Sequence, residues 1–115
     1  MIFLQETHSS ITNEIQWSNE FNTQTFFSHG KPNSCGVLTA YKCSKNFVLK
    51  KKVNDANGRI LILDVSIDDS EYVLVNLYNA KTESELINVL QDLDCLLNEI
   101  DFNYDKRIII AGNFY

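Results

Sequence analysis

Polar side chains that could do chemistry stand at two points where an apolar, strand-like run of the chain ends. Near the start, the run Ile2-Phe3-Leu4-Gln5 is followed by Glu6, which supplies a carboxylate. Near the end, the run at residues 108–111 leads to Asn113, an amide where acid–base chemistry would prefer a carboxyl group. Because active sites often lie where buried strands end in polar residues, Glu6 and Asn113 are the first candidate site residues.

The elements that would position these residues are mostly strands. Seven segments rich in β-forming residues are predicted to be strands, namely residues 1–5, 23–28, 36–41, 47–53, 59–67, 71–77 and 106–111. Asp68-Asp69-Ser70 predicts a hairpin between two of them, and residues 12–21 allow a short helix.

One strong helix is predicted at residues 83–99. Its apolar stripe consists of Leu86, Leu90, Leu93, Leu97 and Ile100, and Thr82 with Glu85 forms a capping box at its start. With the strands on either side it makes a strand–helix–strand unit, in which parallel strands end at the same edge. That edge would bring Tyr78 beside Asn113, and ligands of α/β sheets bind outside such strand ends.

The composition predicts one small globular domain. The chain has 115 residues, of which 44% are hydrophobic, and its net charge is −5. The acidic balance argues against non-specific nucleic-acid binding by the whole surface but is compatible with a metal site. No apolar run has the length of a membrane span, and the start lacks the features of a signal peptide. The three cysteines have no metal-ligand spacing, which predicts free thiols in a reducing, intracellular compartment.

Each candidate also has a structural interpretation. A lone glutamate at a strand end is commonly solvated, and Tyr78 could be a core aromatic that closes a strand. The Lys50-Lys51-Lys52 run could follow a phosphate backbone, but a solvated strand face is the stronger prediction. His8 and His29 are expected in surface loops.

Four short motifs, taken in order, resemble the endonuclease/exonuclease/phosphatase superfamily of metal-dependent, DNase I-like enzymes. They are Leu4-Gln5-Glu6-Thr7-His8, Gly36-Val37, Asn76-Leu77-Tyr78 and Gly112-Asn113-Phe114-Tyr115. Within the superfamily the chain most resembles the endonuclease of LINE-type, non-LTR retrotransposons, because of Gln-Glu-Thr-His and the stretch from Ser28-His29-Gly30 to Gly36-Val37. The resemblance implies an α/β fold, a partial two-sheet sandwich of the DNase I-like type.

The resemblance also implies a role for each motif residue. Glu6 would bind the catalytic Mg²⁺, and Tyr78 would contact the region of the scissile phosphate. Asn113 stands where the family has the aspartate that acts on the attacking water, and Tyr115 stands where it has an asparagine at the metal–phosphate centre. An amide can orient water but cannot accept its proton, which predicts loss of activity.

DNA is the partner that the resemblance implies. Asn76 and Lys81 are the candidate nucleic-acid contacts, although Ala80 and Lys81 replace the Pro-Asn pair that the family usually carries after its tyrosine. Domains of this family are longer than this chain. Residues 1–115 are therefore expected to be an incomplete domain, whose first strand would precede Met1 and whose C-terminal half would follow Tyr115.

Three functional hypotheses follow from these features. The first is a Mg²⁺-dependent endonuclease domain of retrotransposon origin that is inactive as this chain and would belong in the nucleus. The second is a non-enzymatic, degenerate remnant of a mobile element. The third is a phosphatase of the same superfamily, which the Gln-Glu-Thr-His motif disfavours.

Overall fold

A computed structural model describes residues 1–21, 23–31, 34–42, 46–78, 82–102 and 105–113. Within these ranges the chain forms seven strands and two α-helices. In chain order they are β1 (Ile2–Gln5), α1 (Glu14–Phe21, entered through a 3₁₀ turn at Ile11–Asn13), β2 (Gln24–Ser28), β3 (Val37–Tyr41), β4 (Phe47–Asn54), β5 (Ile60–Ile67), β6 (Ser70–Tyr78), α2 (Glu83–Leu97) and β7 (Arg107–Asn113). Each predicted strand and helix is confirmed, with boundaries shifted by one or two residues.

The strands form two sheets. The first sheet has the order β1-β3-β2 and is antiparallel, and the second has the order β4-β5-β6-β7. In the second sheet only β6 and β7 run parallel, joined through α2, which confirms the predicted strand–helix–strand unit. The predicted hairpin between β5 and β6 turns at Asp68 and Asp69, whose φ angles are +49° and +66°. Short aspartate side chains tolerate this left-handed backbone better than most residues do.

The two sheets pack face to face, and each outer face carries a helix. Alternate residues of β5 point to opposite sides: Leu61, Leu63 and Val65 lie between the sheets, whereas Ile60 and Ile62 lie under α2. On the far side of the first sheet, α1 packs its Trp17 and Phe21 against Phe27, Leu38 and Ala40. The result is a four-layer arrangement of helix, sheet, sheet and helix, built from period-two alternation in the strands.

The buried face of α2 differs from the predicted stripe. The prediction placed Leu90 in the stripe, but Leu90 is 46% exposed, and Val89 occupies the core position instead. Val89, Leu93, Leu96 and Ile100 contact the second sheet at helical spacings of three and four. The predicted apolar stripe was therefore wrong by one residue in the first half of the helix, where Val89 and not Leu90 is buried.

A buried ion pair fixes the entry to β7. Lys106 Nζ lies 3.0 Å from Asp64 Oδ2, and the two side chains are 4% and 7% exposed, respectively. The same ammonium group also donates to the carbonyl oxygen of Asp101. Removing one partner of such a pair leaves a buried charge uncompensated, which typically costs about 3–5 kcal/mol of stability.

The predicted α/β, two-sheet sandwich is confirmed as an architecture. Its assignment to the DNase I-like type and the predicted incompleteness of the domain remain predictions. Lys50, Lys51 and Lys52 lie on exposed β4, as the solvated-face interpretation predicted; Lys50 pairs with Glu71, and Lys51 Nζ donates to the Glu99 carbonyl oxygen. Cys35 and Cys95 are free thiols. In the described ranges, no helix has the length and apolarity needed to cross a membrane.

The second sheet ends at β7, where three consecutive isoleucines are solvent-exposed. Ile108, Ile109 and Ile110 are 51%, 44% and 50% exposed, and β7 is an edge strand. An exposed, apolar edge strand is a template for pairing with another chain. We predict that this edge makes the chain associate with itself at high concentration.

Substituting Ile108 and Ile110 together with lysine should shift the sedimentation profile toward monomer, because charges on an edge strand oppose pairing. Ile15→Lys is the matched control, since Ile15 is 76% exposed but lies on α1, away from any strand edge. An equal effect of the control, or a wild-type chain that stays monomeric at high concentration, would contradict the role of β7.

Candidate functional site

Glu6 and Tyr78 meet where β1 and β6 end. Glu6 directly follows β1 of the first sheet, and Tyr78 is the last residue of β6 in the second. The Tyr78 hydroxyl donates a hydrogen bond of 2.8 Å to Glu6 Oε1. Tyr78 is 7% exposed and packs between the sheets, whereas Glu6 is exposed to solvent. The pair therefore joins a buried ring to a carboxylate that a ligand can reach.

The Glu6 carboxylate changes the acid–base properties of Tyr78. The pKa of the Tyr78 hydroxyl lies above its ordinary value of 10.0, first because the hydroxyl donates to Glu6, and further because it is buried beside that charge. The Arg59 guanidinium opposes this shift; its Cζ atom lies 5.9 Å from the centre of the Tyr78 ring. At neutral pH the tyrosine therefore keeps its proton and donates a hydrogen bond.

Asn113 lies beside Tyr78, as the strand–helix–strand unit predicted. The two residues are partners in the parallel pairing of β6 with β7, and the Asn113 residue is exposed. Neighbouring strands are about 4.8 Å apart, so both residues are at the same edge of the sheet. Tyr115 and Lys81, the other predicted contacts, lie outside the described residues.

Asn76 does not lie where a contact to nucleic acid would require it. Its exposed fraction is 0%, and its side chain is hydrogen-bonded within the protein. The Nδ2 group donates to the carbonyl oxygens of Leu38 and Leu4 at 2.8 and 3.2 Å, while Oδ1 accepts from Gln5 Nε2 at 2.8 Å. The expectation of direct DNA contact is corrected to a structural role, because the amide joins β6 to both β1 and β3.

The backbone that presents Glu6 is constrained. Glu6 and His8 have φ angles of +52° and +51°, in the left-handed region that non-glycine residues rarely adopt. Two hydrogen bonds fasten this segment to the neighbouring loop: Thr7 N–H donates to the Gly36 carbonyl at 3.0 Å, and His8 N–H donates to the Cys35 carbonyl at 2.9 Å. Such strain persists only where surrounding contacts determine the conformation, and it is common at functional sites.

Gly36 permits this close approach. Its φ angle is +96°, and a Cβ atom at this position would lie 2.5 Å from Thr7 Oγ1. Any side chain here would therefore separate the loop from the Glu6 segment. The Gly36-Val37 motif thus has a physical role next to the candidate site.

His29 lies in the loop after β2, as predicted, but its side chain is largely buried and not at the surface. Its side chain is 19% exposed and stacks on Phe27, with ring centres 5.1 Å apart. Nδ1 lies 3.0 Å from the hydroxyl of buried Ser9, which in turn is 2.8 Å from Thr7 Oγ1. The histidine is therefore linked to the Glu6 segment through Ser9 and Thr7. No spacing in the sequence indicated this contact. The exposed position of His8 is confirmed.

Arg59 is a site neighbour that the sequence prediction missed. Its backbone is fixed because Asp55 Oδ1 accepts hydrogen bonds from the N–H groups of Arg59 and Ile60, at 3.0 and 2.9 Å. The Tyr78 N–H then donates to the Arg59 carbonyl at 2.8 Å. The predicted turn Asn54-Asp55-Ala56-Asn57-Gly58 was the available signal, since aspartates in turns commonly accept from nearby backbone groups.

The donor set at the site is compatible with a largely hydrated cation. No three His, Cys, Asp or Glu side chains of the described ranges converge as a metal-binding group. Glu6 supplies one exposed carboxylate, and Mg²⁺ is typically bound through one or two carboxylates while it keeps several waters. Glu6 is the side chain that would bind Mg²⁺ here.

Comparison with known proteins adds one relative. No protein-family model matches the chain. Over 112 residues, or 97% of the chain, it is 33% identical to a segment of the transposon TX1 uncharacterized 149 kDa protein of Xenopus laevis. The aligned segment makes up 8% of that protein, so the chain spans a small part of its relative's length. Nearly the whole chain is thus similar to part of a transposon-encoded protein.

The raised pKa of Tyr78 predicts how stability depends on pH. Because the folded state keeps the Tyr78 proton above pH 10, where the unfolded state releases it, this contribution to stability is complete below pH 10. It is then lost as pH rises through the folded-state pKa. Glu6→Gln removes the charge and should lower the pKa of Tyr78 toward 10, as measured by the NMR signal of its Cζ atom.

Asp69→Asn is the matched control for this titration. Asp69 lies at the hairpin before β6, at the other end of the strand from Tyr78, and asparagine accepts its left-handed φ angle. The control should leave the Tyr78 titration unchanged. A Tyr78 pKa that does not move in Glu6→Gln would show that the Glu6–Tyr78 hydrogen bond is absent in solution.

Proposed function

We propose that this chain derives from a transposon-encoded, Mg²⁺-dependent endonuclease domain of the LINE type and does not cleave DNA as it stands. The observation that carries the proposal is the 2.8 Å contact between Tyr78 and Glu6, which unites strand ends of two different sheets. The two residues lie 72 positions apart, and each belongs to a separate motif of the resemblance.

In this proposal Glu6 binds the metal and Tyr78 is its neighbouring hydrogen-bond donor. When bound, Mg²⁺ would supply charge stabilisation to a phosphoryl group and an activated water. The Tyr78 hydroxyl orients the Glu6 carboxylate through one oxygen and, with its raised pKa, stays protonated beside a phosphate. Arg59 adds positive charge at the same edge.

Asn113 is the reason for proposing inactivity. It lies beside Tyr78, where the attacking water would need a base, and a carboxamide accepts no proton at neutral pH. Loss of a general base typically lowers a rate by about 10²–10⁴-fold. The amide can still orient a water molecule, so the site can bind its ligand without hydrolysing it.

The transposon origin is supported by the similarity to the Xenopus laevis protein. That similarity covers 112 residues, or 97% of the chain. The non-enzymatic alternative, a remnant that has lost its ligand site as well, is supported by the amide at Asn113. Metal binding separates the two proposals.

Mn²⁺, which binds oxygen ligands as Mg²⁺ does, tests the metal site without requiring activity. Titrating Mn²⁺ should broaden the amide NMR signals of Glu6 and Tyr78 first, and Glu6→Gln should abolish this selective broadening. Asp69→Asn is again the control, because Asp69 lies roughly 30 Å from Tyr78 along β6. Broadening that persists in Glu6→Gln, or that appears equally throughout the chain, would favour the remnant without a site.

Activity is tested by the nicking of supercoiled plasmid DNA in Mg²⁺. We expect the wild-type chain to give the same background as Glu6→Gln, because Asn113 leaves no base for the attacking water. Chelator and the Glu6→Gln protein are the controls for a contaminating nuclease. Nicking by the wild-type chain that disappears in both controls would show that the site works with an amide in the base position.

A further inference from the structure

A polar cleft of about 320 Å³ opens beside the candidate site. One side is formed by the loop containing Cys35 and by the turn containing Asn57, and the other by the first half of α2. A volume of this size is within the usual range for pockets that bind small ligands. Neither Glu6 nor Asn113 lines the cleft, so it is separate from the groups that would do chemistry.

The cleft is nevertheless continuous with the site through Arg59. This residue lines the cleft while its guanidinium lies over the Tyr78 ring. Its backbone is fixed on both sides, by the Asp55 carboxylate and by the Tyr78 N–H. Arg59 therefore places a positive charge between the cleft and Tyr78.

The turn that contains Gly58 is packed closely against Gly30 and Gly36. A Cβ atom on Gly58, whose φ angle is +70°, would lie 2.2 Å from Gly30 N and 2.7 Å from Gly36 N. Gly36 N–H also donates to the Gly58 carbonyl at 2.8 Å. The wall that carries Arg59 is thus joined, by a hydrogen bond and by close packing, to the loop that fastens the Glu6 segment.

The charges of the cleft are divided between its two walls. Lys31 and Arg59 provide positive charge on the loop and turn side, whereas Glu85 and Asp92 provide carboxylates on α2. A simple anion would be attracted to one wall and repelled by the other. The arrangement suits a ligand that has an anionic group at one end and hydrogen-bond donors at the other.

We infer that the cleft binds one unpaired nucleotide of a DNA strand, with its phosphate at Arg59 and the amino group of its base at Asp92. An arginine fork matches phosphate oxygens, and a carboxylate accepts from the N4 amino group of cytosine. Thymine offers no such amino group, so the cleft prefers cytosine to thymine. The inference rests on the proposed function, because it takes DNA as the ligand; it adds the position and the base preference.

Binding of labelled single strands tests the inference without catalysis. Fluorescein-labelled pentadeoxycytidine and pentathymidine are titrated with the wild-type chain at low salt in EDTA, and fluorescence anisotropy reports the affinity. We expect the cytidine strand to bind about fivefold or more tightly, at the lower end of what one base contact contributes. Equal affinities for the two strands, or no binding of either, would overturn the inference.

Substitutions at Arg59 and Asp92 test separately what each wall of the cleft contributes to binding. Arg59→Met should weaken both strands about tenfold, since it removes the phosphate contact, and Arg59→Lys should recover part of that loss because charge returns without the fork. Asp92→Ala should abolish the preference for cytidine without weakening the thymidine strand. Asp94→Ala is the matched control, as Asp94 is exposed on the same helix but does not line the cleft.

The outcomes also separate this inference from the proposed function. Glu6→Gln should remove the effect of Mn²⁺ on the NMR signals, whereas strand binding in EDTA is measured with no metal at Glu6. If metal binds at Glu6 but substitutions of Arg59 and Asp92 leave the strand affinity unchanged, the inferred nucleotide site in the cleft would be wrong and the proposed function would stand. A cytidine preference that depends on Asp92, without metal binding at Glu6, would support the cleft and count against the nuclease origin.

Discussion

The arrangement of the two sheets depends on one buried amide. Asn76 is fully buried between the sheets beside a cluster of apolar residues, and its side chain contacts the first sheet through β1 and β3 at once. Apolar contacts are not directional, so they allow two sheets to slide past each other at small cost. A buried amide allows one alignment, because any shift would leave its donors or its acceptor without partners at a cost of about 1–3 kcal/mol each. Asn76 therefore fixes the register between the sheets.

That register determines whether the candidate site exists. Gln5 donates to Asn76, Glu6 is the next residue, and Tyr78 stands two residues beyond Asn76 on the same face of β6. A slip of one residue in β1 would turn Glu6 away from the Tyr78 hydroxyl. The left-handed backbone at Glu6 and the absence of a side chain at Gly36 then set the angle at which the carboxylate leaves the strand. The chemistry of the site is thus a consequence of sheet packing.

The sequence predicted what local patterns determine. Alternating apolar residues predicted the strands, and the strand–helix–strand pattern predicted that Tyr78 lies beside Asn113, as it does. The same reasoning could not find Asn76 as a link between sheets, because its partners, Leu4 and Leu38, lie far away in the chain. His29 and Arg59 were missed for the same reason: their roles come from contacts with Ser9 and Tyr78 that only the packed layers create. The proposal that Glu6 is a metal ligand came from the resemblance, because no pattern of spacing contains it.

Burial determines which residues at this edge of the sheet can be replaced without disturbing the fold. Asn76 and Tyr78 are 0% and 7% exposed, so replacing either would disturb the core as well as the site. Asn113 is exposed at the end of an edge strand, where an aspartate and an asparagine have nearly the same shape and the exchange costs little stability. The residues that position the site are therefore protected by folding, whereas the residue that would accept the proton is not. Folding requirements alone would therefore preserve Asn76 and Tyr78, whereas the exposed side chains of Glu6 and Asn113 are under no comparable constraint.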